Sequence, residues 1–98
     1  MDDEAEQPTE LPLDGTLDLH TFAPREVLAV VESYLEACQA AGIRHIRLIH
    51  GKGLGVQRTR IRALLEQHAA VKAFRTAGED AGGWGATLVD LHDRQRPR

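Results

Sequence analysis

His50-Gly51-Lys52-Gly53-Leu54-Gly55 is the stretch that decides the fold. An apolar-alternating run, Arg44 to Ile49, stands directly before it, and a pattern of helical spacing begins near Val56. A strand that ends in a glycine-rich loop and turns into a helix makes a site for anions. The glycines let backbone N–H groups point inward, and the helix N-terminus adds partial positive charge. A histidine and a lysine are built into this loop. Gly51, Lys52, Gly53 and Gly55 are therefore the candidate phosphate-binding residues, although the loop fits neither the P-loop nor the dinucleotide fingerprint.

Outward from the loop, Ile46 and Leu48 alternate with Arg47 and Ile49, which predicts an interior strand over 44–49 with apolar contacts on both faces. Upstream, Val27, Val31, Tyr34, Leu35 and Cys38 recur at helical spacing. Pro24 suits the first turn of that helix, Glu26 its positive start and Gly42 its C-terminal cap. Before it, Thr16-Leu17-Asp18-Leu19-His20 alternates as a short strand with Asp18 and His20 on the polar face. Downstream, a second helix of roughly a dozen residues turns Ile61, Leu64 and Leu65 inward. It sets Arg58 and Arg62 one turn apart on a shared face. A third strand is expected over 71–77, with Val71, Ala73 and Phe74 among its apolar residues. A glycine-rich turn follows over 78–85, then a fourth strand over 86–91.

The order is βαβαββ. This is an α/β fold of the α+β two-layer kind, a four-stranded mixed sheet with two helices mainly on one face. Strand–helix–strand crossovers are right-handed and parallel, so the first three strands should share a direction. The last connection is short enough for an antiparallel hairpin.

The sequence has 98 residues, enough for one domain. Hydrophobic residues make up 42%, which excludes wholesale disorder, and aromatics only 4%, so Leu, Val, Ile and Ala must build the core. The single cysteine, Cys38, excludes an internal disulfide and lies on an apolar stripe, as a small buried hydrophobe would. No apolar run approaches a membrane span, and the acidic N-terminus does not resemble a signal peptide. A soluble cytoplasmic protein with no membrane association and no obligate protein partner is the expectation. The net charge of −3 hides an asymmetry: residues 1–14 hold six acids and no base, leaving nine acids against twelve bases in the rest. The expected organisation is an acidic arm over 1–14, a folded domain over 15–91 and a basic tail over 92–98.

In open α/β sheets, ligands gather beyond the carboxyl ends of the parallel strands. Asp18 and His20 stand at the end of the first such strand, and His50 with the glycine loop at the end of the second. Their meeting would suit phosphodiester chemistry. A histidine can move a proton, a carboxylate can orient it or hold a divalent cation, and a lysine with loop amides can stabilise charge on phosphate. Asp18, His20 and His50 are thus the candidate catalytic group, with Asp18 also the candidate ligand for Mg²⁺ or Mn²⁺. Arg58 and Arg62 are candidate backbone-phosphate contacts, and Arg60 either flanks the loop's outlet with them or lies on a solvated helix face. Trp84 is a candidate platform for stacking on a base, the alternative being that it folds back over the sheet edge. His45 and His68 read as structural or surface residues.

Leu17-Asp18-Leu19-His20, His50-Gly51-Lys52-Gly53 and Gly82-Gly83-Trp84-Gly85-Ala86-Thr87, in this order and at these separations, resemble the Smr (small MutS-related) domain. The match spans about residues 15–91. The resemblance implies a fold like the C-terminal domain of bacterial translation initiation factor three, and a nucleic-acid-directed role on DNA or RNA. Several members nick DNA or cleave RNA, some with a divalent metal and some without. Asp18 and His20 match the family's first motif, and His50 to Gly53 its second. The sequence departs at Thr21, where the family often has glycine. The ATPase and DNA-wrapping regions of MutS2 do not fit in this length, so mismatch repair is not implied. An endonuclease is the leading expectation and a non-catalytic DNA-, RNA- or ribosome-binding module the alternative. An enzyme for small phosphorylated metabolites comes third, since few apolar residues remain to build a deep closed pocket.

Overall fold

A computed structural model describes residues 13–51, 55–79 and 83–93. The elements are β1 (Thr16–Asp18), α1 (Val27–Ala40), β2 (His45–Ile49), α2 (Val56–Gln67), β3 (Val71–Thr76) and β4 (Ala86–Leu91). Pro24–Glu26 and Gly83–Gly85 form short 3₁₀ turns before α1 and β4. The expectations placed on 1–12, Lys52, Gly53, 80–82, the Trp84 side chain and the tail from 94 lie outside the described residues.

The four strands form one sheet in the order β1-β2-β4-β3. β1 pairs parallel with β2, and β4 runs antiparallel to both β2 and β3. The first three strands thus share a direction, as the crossover rule requires. The hairpin between β3 and β4 also forms, but β4 enters between β2 and β3. There Val89 joins the core, while Leu88 lies half-buried on the other face, opposite Arg47.

One face of the sheet carries the core. Leu17, Leu19, Ile46, Leu48, Val89 and Leu91 pack with Val27, Val31, Leu35 and Cys38 of α1 and with Ile61 and Leu65 of α2. Leu64 is half-buried against the same cluster. The opposite face carries Arg47 opposite Leu88, and His45 opposite Asp90. It is more polar than the sequence suggests for β2, with Arg47 and Ile49 only half-buried. His45 pairs its Nδ1 with Asp90 at 3.0 Å, and Arg75 stands 3.6 Å from the same carboxylate.

Local signals explain the ends of the elements. Glu26 accepts the Ala23 N–H at 3.3 Å at the entry to α1. At its exit Gly42 takes a φ of 85°, while the N–H groups of Gly42 and Ile43 donate to Gln39 and Cys38. This double bond to carbonyls of the last turn needs the left-handed residue that glycine supplies. In β3, Val71 pairs with Leu91 but Ala73 with Asp90, so a bulge falls between them. A bulge inserts one extra residue, and that lets Val71 and Phe74, three positions apart, both contact the core. Ala73 is exposed.

The edge strand β1 is held from below by Tyr34. Its phenol accepts the buried Gly15 N–H at 3.1 Å and donates to the Thr16 carbonyl at 3.3 Å. Tyr34→Phe keeps the ring but strands the Gly15 N–H, and a stranded buried donor costs about 1–3 kcal/mol. A urea titration should place the variant lower in stability by about that amount; an unchanged midpoint would contradict the role given to Tyr34.

Candidate functional site

The carboxyl ends of β1, β2 and β3 lie along one edge of the sheet, and the amino end of β4 meets them there. At the end of β1 the backbone continues one bond further, from the Leu19 N–H to the Ile49 carbonyl at 2.9 Å. That extension carries His20 up beside the end of β2. Asp18 Oδ1 accepts both the His20 backbone N–H at 2.9 Å and its Nδ1–H at 2.7 Å. The backbone N–H, and after it the imidazole, hold the Asp18 carboxyl below its ordinary value. A lowered carboxyl favours the folded state above the ordinary carboxylate pKa, and this contribution is lost as pH falls through the depressed value. Both side chains are 59% exposed, so the pair orients the ring more than it stabilises the fold.

With Nδ1 spent on Asp18, the neutral His20 ring presents a lone pair at Nε2. That nitrogen lies 2.9 Å from where a Cβ on Gly51 would stand. Gly51 also has a φ of 86°, so only glycine meets both demands. The expected meeting of the first strand with the glycine loop is therefore made, by His20 against Gly51.

His50 occupies the centre of the edge and faces inward. Its Nδ1 lies 3.0 Å from the Gly51 carbonyl, which can only accept, so Nδ1 carries the proton. Its Nε2 lies 2.9 Å from Thr87 Oγ1. Burial, and then the charges of Arg58, Arg62 and His20, push the imidazole below its ordinary pKa, against the hydrogen bond to Gly51. The strand order sets His50, at the end of β2, between His20 beyond β1 and the arginines gathered at Thr76 of β3. His50 thus joins the site with both ring nitrogens engaged, unlike His20.

At the far end, Arg58 and Arg62 each donate an Nη2 to Thr76 Oγ1, Arg58 at 2.9 Å. The shared face expected from their spacing is observed, but they reach the end of β3. Arg62 also lies over the Phe74 ring, 5.3 Å from its centroid. Arg60 turns toward the entry of α1: its Nη1 donates to the Pro24 carbonyl at 3.1 Å and to Gln57 Oε1 at 3.3 Å. It clamps α2 to the entry of α1. Gly55, in a left-handed conformation with a φ of 82°, is the N-cap of α2. The Gly85 carbonyl accepts the N–H groups of both His50 and Gly51, at 3.0 and 2.9 Å.

Asp18 Oδ1 already takes two hydrogen bonds, so a hard cation held here would rest on Oδ2 and would need further oxygen ligands from substrate or solvent. Among the described residues, the one group of three metal-type side chains is Glu32, Glu36 and His68. There His68 Nδ1 accepts the Ala70 N–H at 3.1 Å. The ring proton then sits on Nε2, 3.6 Å from Glu36, where a metal would need the lone pair. His68 is the satisfied, semi-buried histidine its position implied.

Thr76 and Thr87 are the site residues that reading the sequence missed as partners. The hint available was the start of the fourth strand, where Thr87 stands within the otherwise apolar run 86–89.

The fold and the site define a class: a two-layer α/β domain whose sheet edge sets an Asp–His pair against a glycine-rich strand-to-helix loop. Within that class the chain belongs to the Smr domain family, which matches residues 17–92. It is 36% identical over 84 residues to the endonuclease MutS2 of Caldicellulosiruptor saccharolyticus, covering 86% of this chain and 11% of the relative. It is 43% identical over 75 residues to that of Pelotomaculum thermopropionicum, covering 76% of this chain and 10% of the relative. The chain thus spans about a tenth of these curated relatives. Among solved structures it resembles the Smr domain of Thermus thermophilus MutS2, with a TM-score of 0.75 at 38% identity over 79% of this chain and 96% of the other. It also resembles YdaL, a stand-alone small MutS-related protein from Escherichia coli, with a TM-score of 0.70 at 29% identity over 86% of this chain and 69% of the other.

Gly51→Ala should displace His20, and Gly42→Ala is the control, with a similar φ and no atom within 4 Å of the added Cβ. Both variants should lose about 1 kcal/mol or more to backbone strain. Only Gly51→Ala should shift the His20 ring resonances in an NMR spectrum. Equal spectra for the two would contradict the contact.

Proposed function

We propose that this protein binds DNA or RNA along the carboxyl edge of its sheet and cleaves a phosphodiester bond there as an endonuclease. The observation that carries this reading is the Asp18–His20 pair, whose open Nε2 faces the start of the glycine loop. The family and the name of its MutS2 relatives support it.

In this reading the phosphate sits between His20 and the loop that leads into α2. His20 takes the proton of the attacking hydroxyl or water at Nε2, and Asp18 stabilises the imidazolium so formed. As the new P–O bond forms the scissile one breaks, and the leaving oxygen takes its proton from water, after which His20 returns its own to solvent. Backbone N–H groups of the loop, with Lys52, hold the phosphate oxygens as charge develops. Arg58 and Arg62 bind the flanking backbone without reading its sequence, and Trp84 stacks on a base. A divalent cation, Mg²⁺ or Mn²⁺, would supply charge neutralisation on the phosphate; no step of this chain's residues passes through it.

One observation favours a second reading, a non-catalytic nucleic-acid-binding module. Hydrolysis uses a base and an acid, and His50 has no open ring nitrogen with which to complement His20.

Incubation of the protein with supercoiled plasmid and with structured RNA, in Mg²⁺, in Mn²⁺ and in EDTA, separates the two. Cleavage is expected, reduced roughly 100-fold or more by His20→Ala, the usual worth of a positioned base. Cleavage by His20→Ala at the wild-type rate would overturn the assignment of roles. Salt-dependent binding with no turnover would establish the second reading instead.

A further inference from the structure

Thr87 is fully buried, and it is the buried polar side chain among the described residues of the core. A hydroxyl in such a place costs about 1–3 kcal/mol unless it is hydrogen-bonded, and valine would suit a central strand at least as well. Its partner is His50 Nε2. Since the Gly51 carbonyl fixes the proton on Nδ1, Nε2 of the neutral ring is bare, and the Thr87 hydroxyl must donate to it. The residue directly opposite Thr87 on β3 is Thr76. Its hydroxyl oxygen accepts from both Arg58 and Arg62. Two guanidinium groups one turn apart repel each other, and burial with the Arg58 charge pushes Arg62 below its ordinary pKa. The Thr76 hydroxyl gathers the two guanidinium groups on one oxygen, while the Glu66 carboxylate acts on Arg62 in the opposite sense. Two guanidinium forks held side by side match an anion with several oxygens.

We propose that the cross-strand pair Thr76 and Thr87 is the positioning element of this edge: Thr87 locks His50 as the inward-facing Nδ1–H tautomer, and Thr76 sets Arg58 and Arg62 side by side for a phosphodiester backbone. The locked His50 acts through another group. Its Nδ1–H holds the Gly51 carbonyl, while the N–H groups of His50 and Gly51 are held by Gly85. The peptide against which His20 stands is thereby fixed from both sides. The phosphodiester half of this proposal rests on the reading given under Proposed function, and the tautomer half does not.

The two halves are tested separately. Long-range ¹H–¹⁵N spectra of the labelled free protein at neutral pH report which ring nitrogen of each histidine carries the proton. Wild-type His50 should be the Nδ1–H form. Thr87→Val should give a mixture of tautomers, and Thr87→Ser should restore the single form, a rescue that a purely space-filling role would not produce. An Nε2–H tautomer in the wild type, which needs no variant to fold, would overturn this half, as would identical spectra for wild type and Thr87→Val. For the other half the probe is a fluorescein-labelled oligothymidylate, titrated at several salt concentrations. Thr76→Val should weaken binding roughly fivefold and flatten the salt dependence by about one phosphate contact, with Thr76→Ser recovering both. Binding by Thr76→Val equal to the wild type would overturn the arginine half. Absence of binding by the wild type would overturn the functional reading itself, while the tautomer result stands or falls alone.

Discussion

The N–H groups of His50 and Gly51 converge on the carbonyl of Gly85. This one shared acceptor ties the last residues of β2 to the first of β4, and the rest of the site depends on it. It ends the ladder between the strands and turns the chain at Gly51. That turn brings the Gly51 carbonyl under His50 Nδ1 and leaves the Cα face of Gly51 open to His20. The 3₁₀ turn at Gly83–Gly85 is what presents the carbonyl. Three segments far apart in sequence, around residues 18–20, 50–51 and 85–87, thus become one edge.

The use of charge follows from the same edge. Several of the body's bases are committed to structure: Arg44 pairs with Asp93 at 2.7 Å, and Arg60 clamps two helices. Arg58 and Arg62 are gathered on the Thr76 oxygen beside a histidine whose burial disfavours its charged form. Gathering cations where the sheet ends is one way a small domain with few aromatics can attract a polyanion. A net charge of −3 for the whole sequence would not suggest it.

Much of this was legible in the sequence, for identifiable reasons. The spacing of Val27, Val31, Tyr34, Leu35 and Cys38 marks α1 because one helical face is buried, and all five are buried. Asp18, His20 and the loop at residue 50 could be brought together because parallel strands put their carboxyl ends on one side. The place of β4 was not legible, since a hairpin rule names one neighbour of a strand and not the other. The bulge that turns Val71 and Phe74 to one face breaks the period-two pattern on which strand reading rests. Thr76 and Thr87 were hidden because threonine in a strand reads as ordinary β-propensity, and their partners arrive through register and docking. Which way a histidine faces is set by acceptors elsewhere in the chain, so His50 and His20 read alike in sequence and differ in the fold.

A nucleic-acid phosphate between His20 and the glycine loop is what the proposed function requires. A crystal structure of the protein with a short phosphorothioate oligonucleotide would locate it, because the sulfur marks the phosphate. The phosphate is expected within hydrogen-bond reach of His20 Nε2 and of backbone N–H groups between Gly51 and the start of α2. An oligonucleotide bound across the opposite sheet face, at Arg47 and Arg75, with no phosphate at His20, would contradict it.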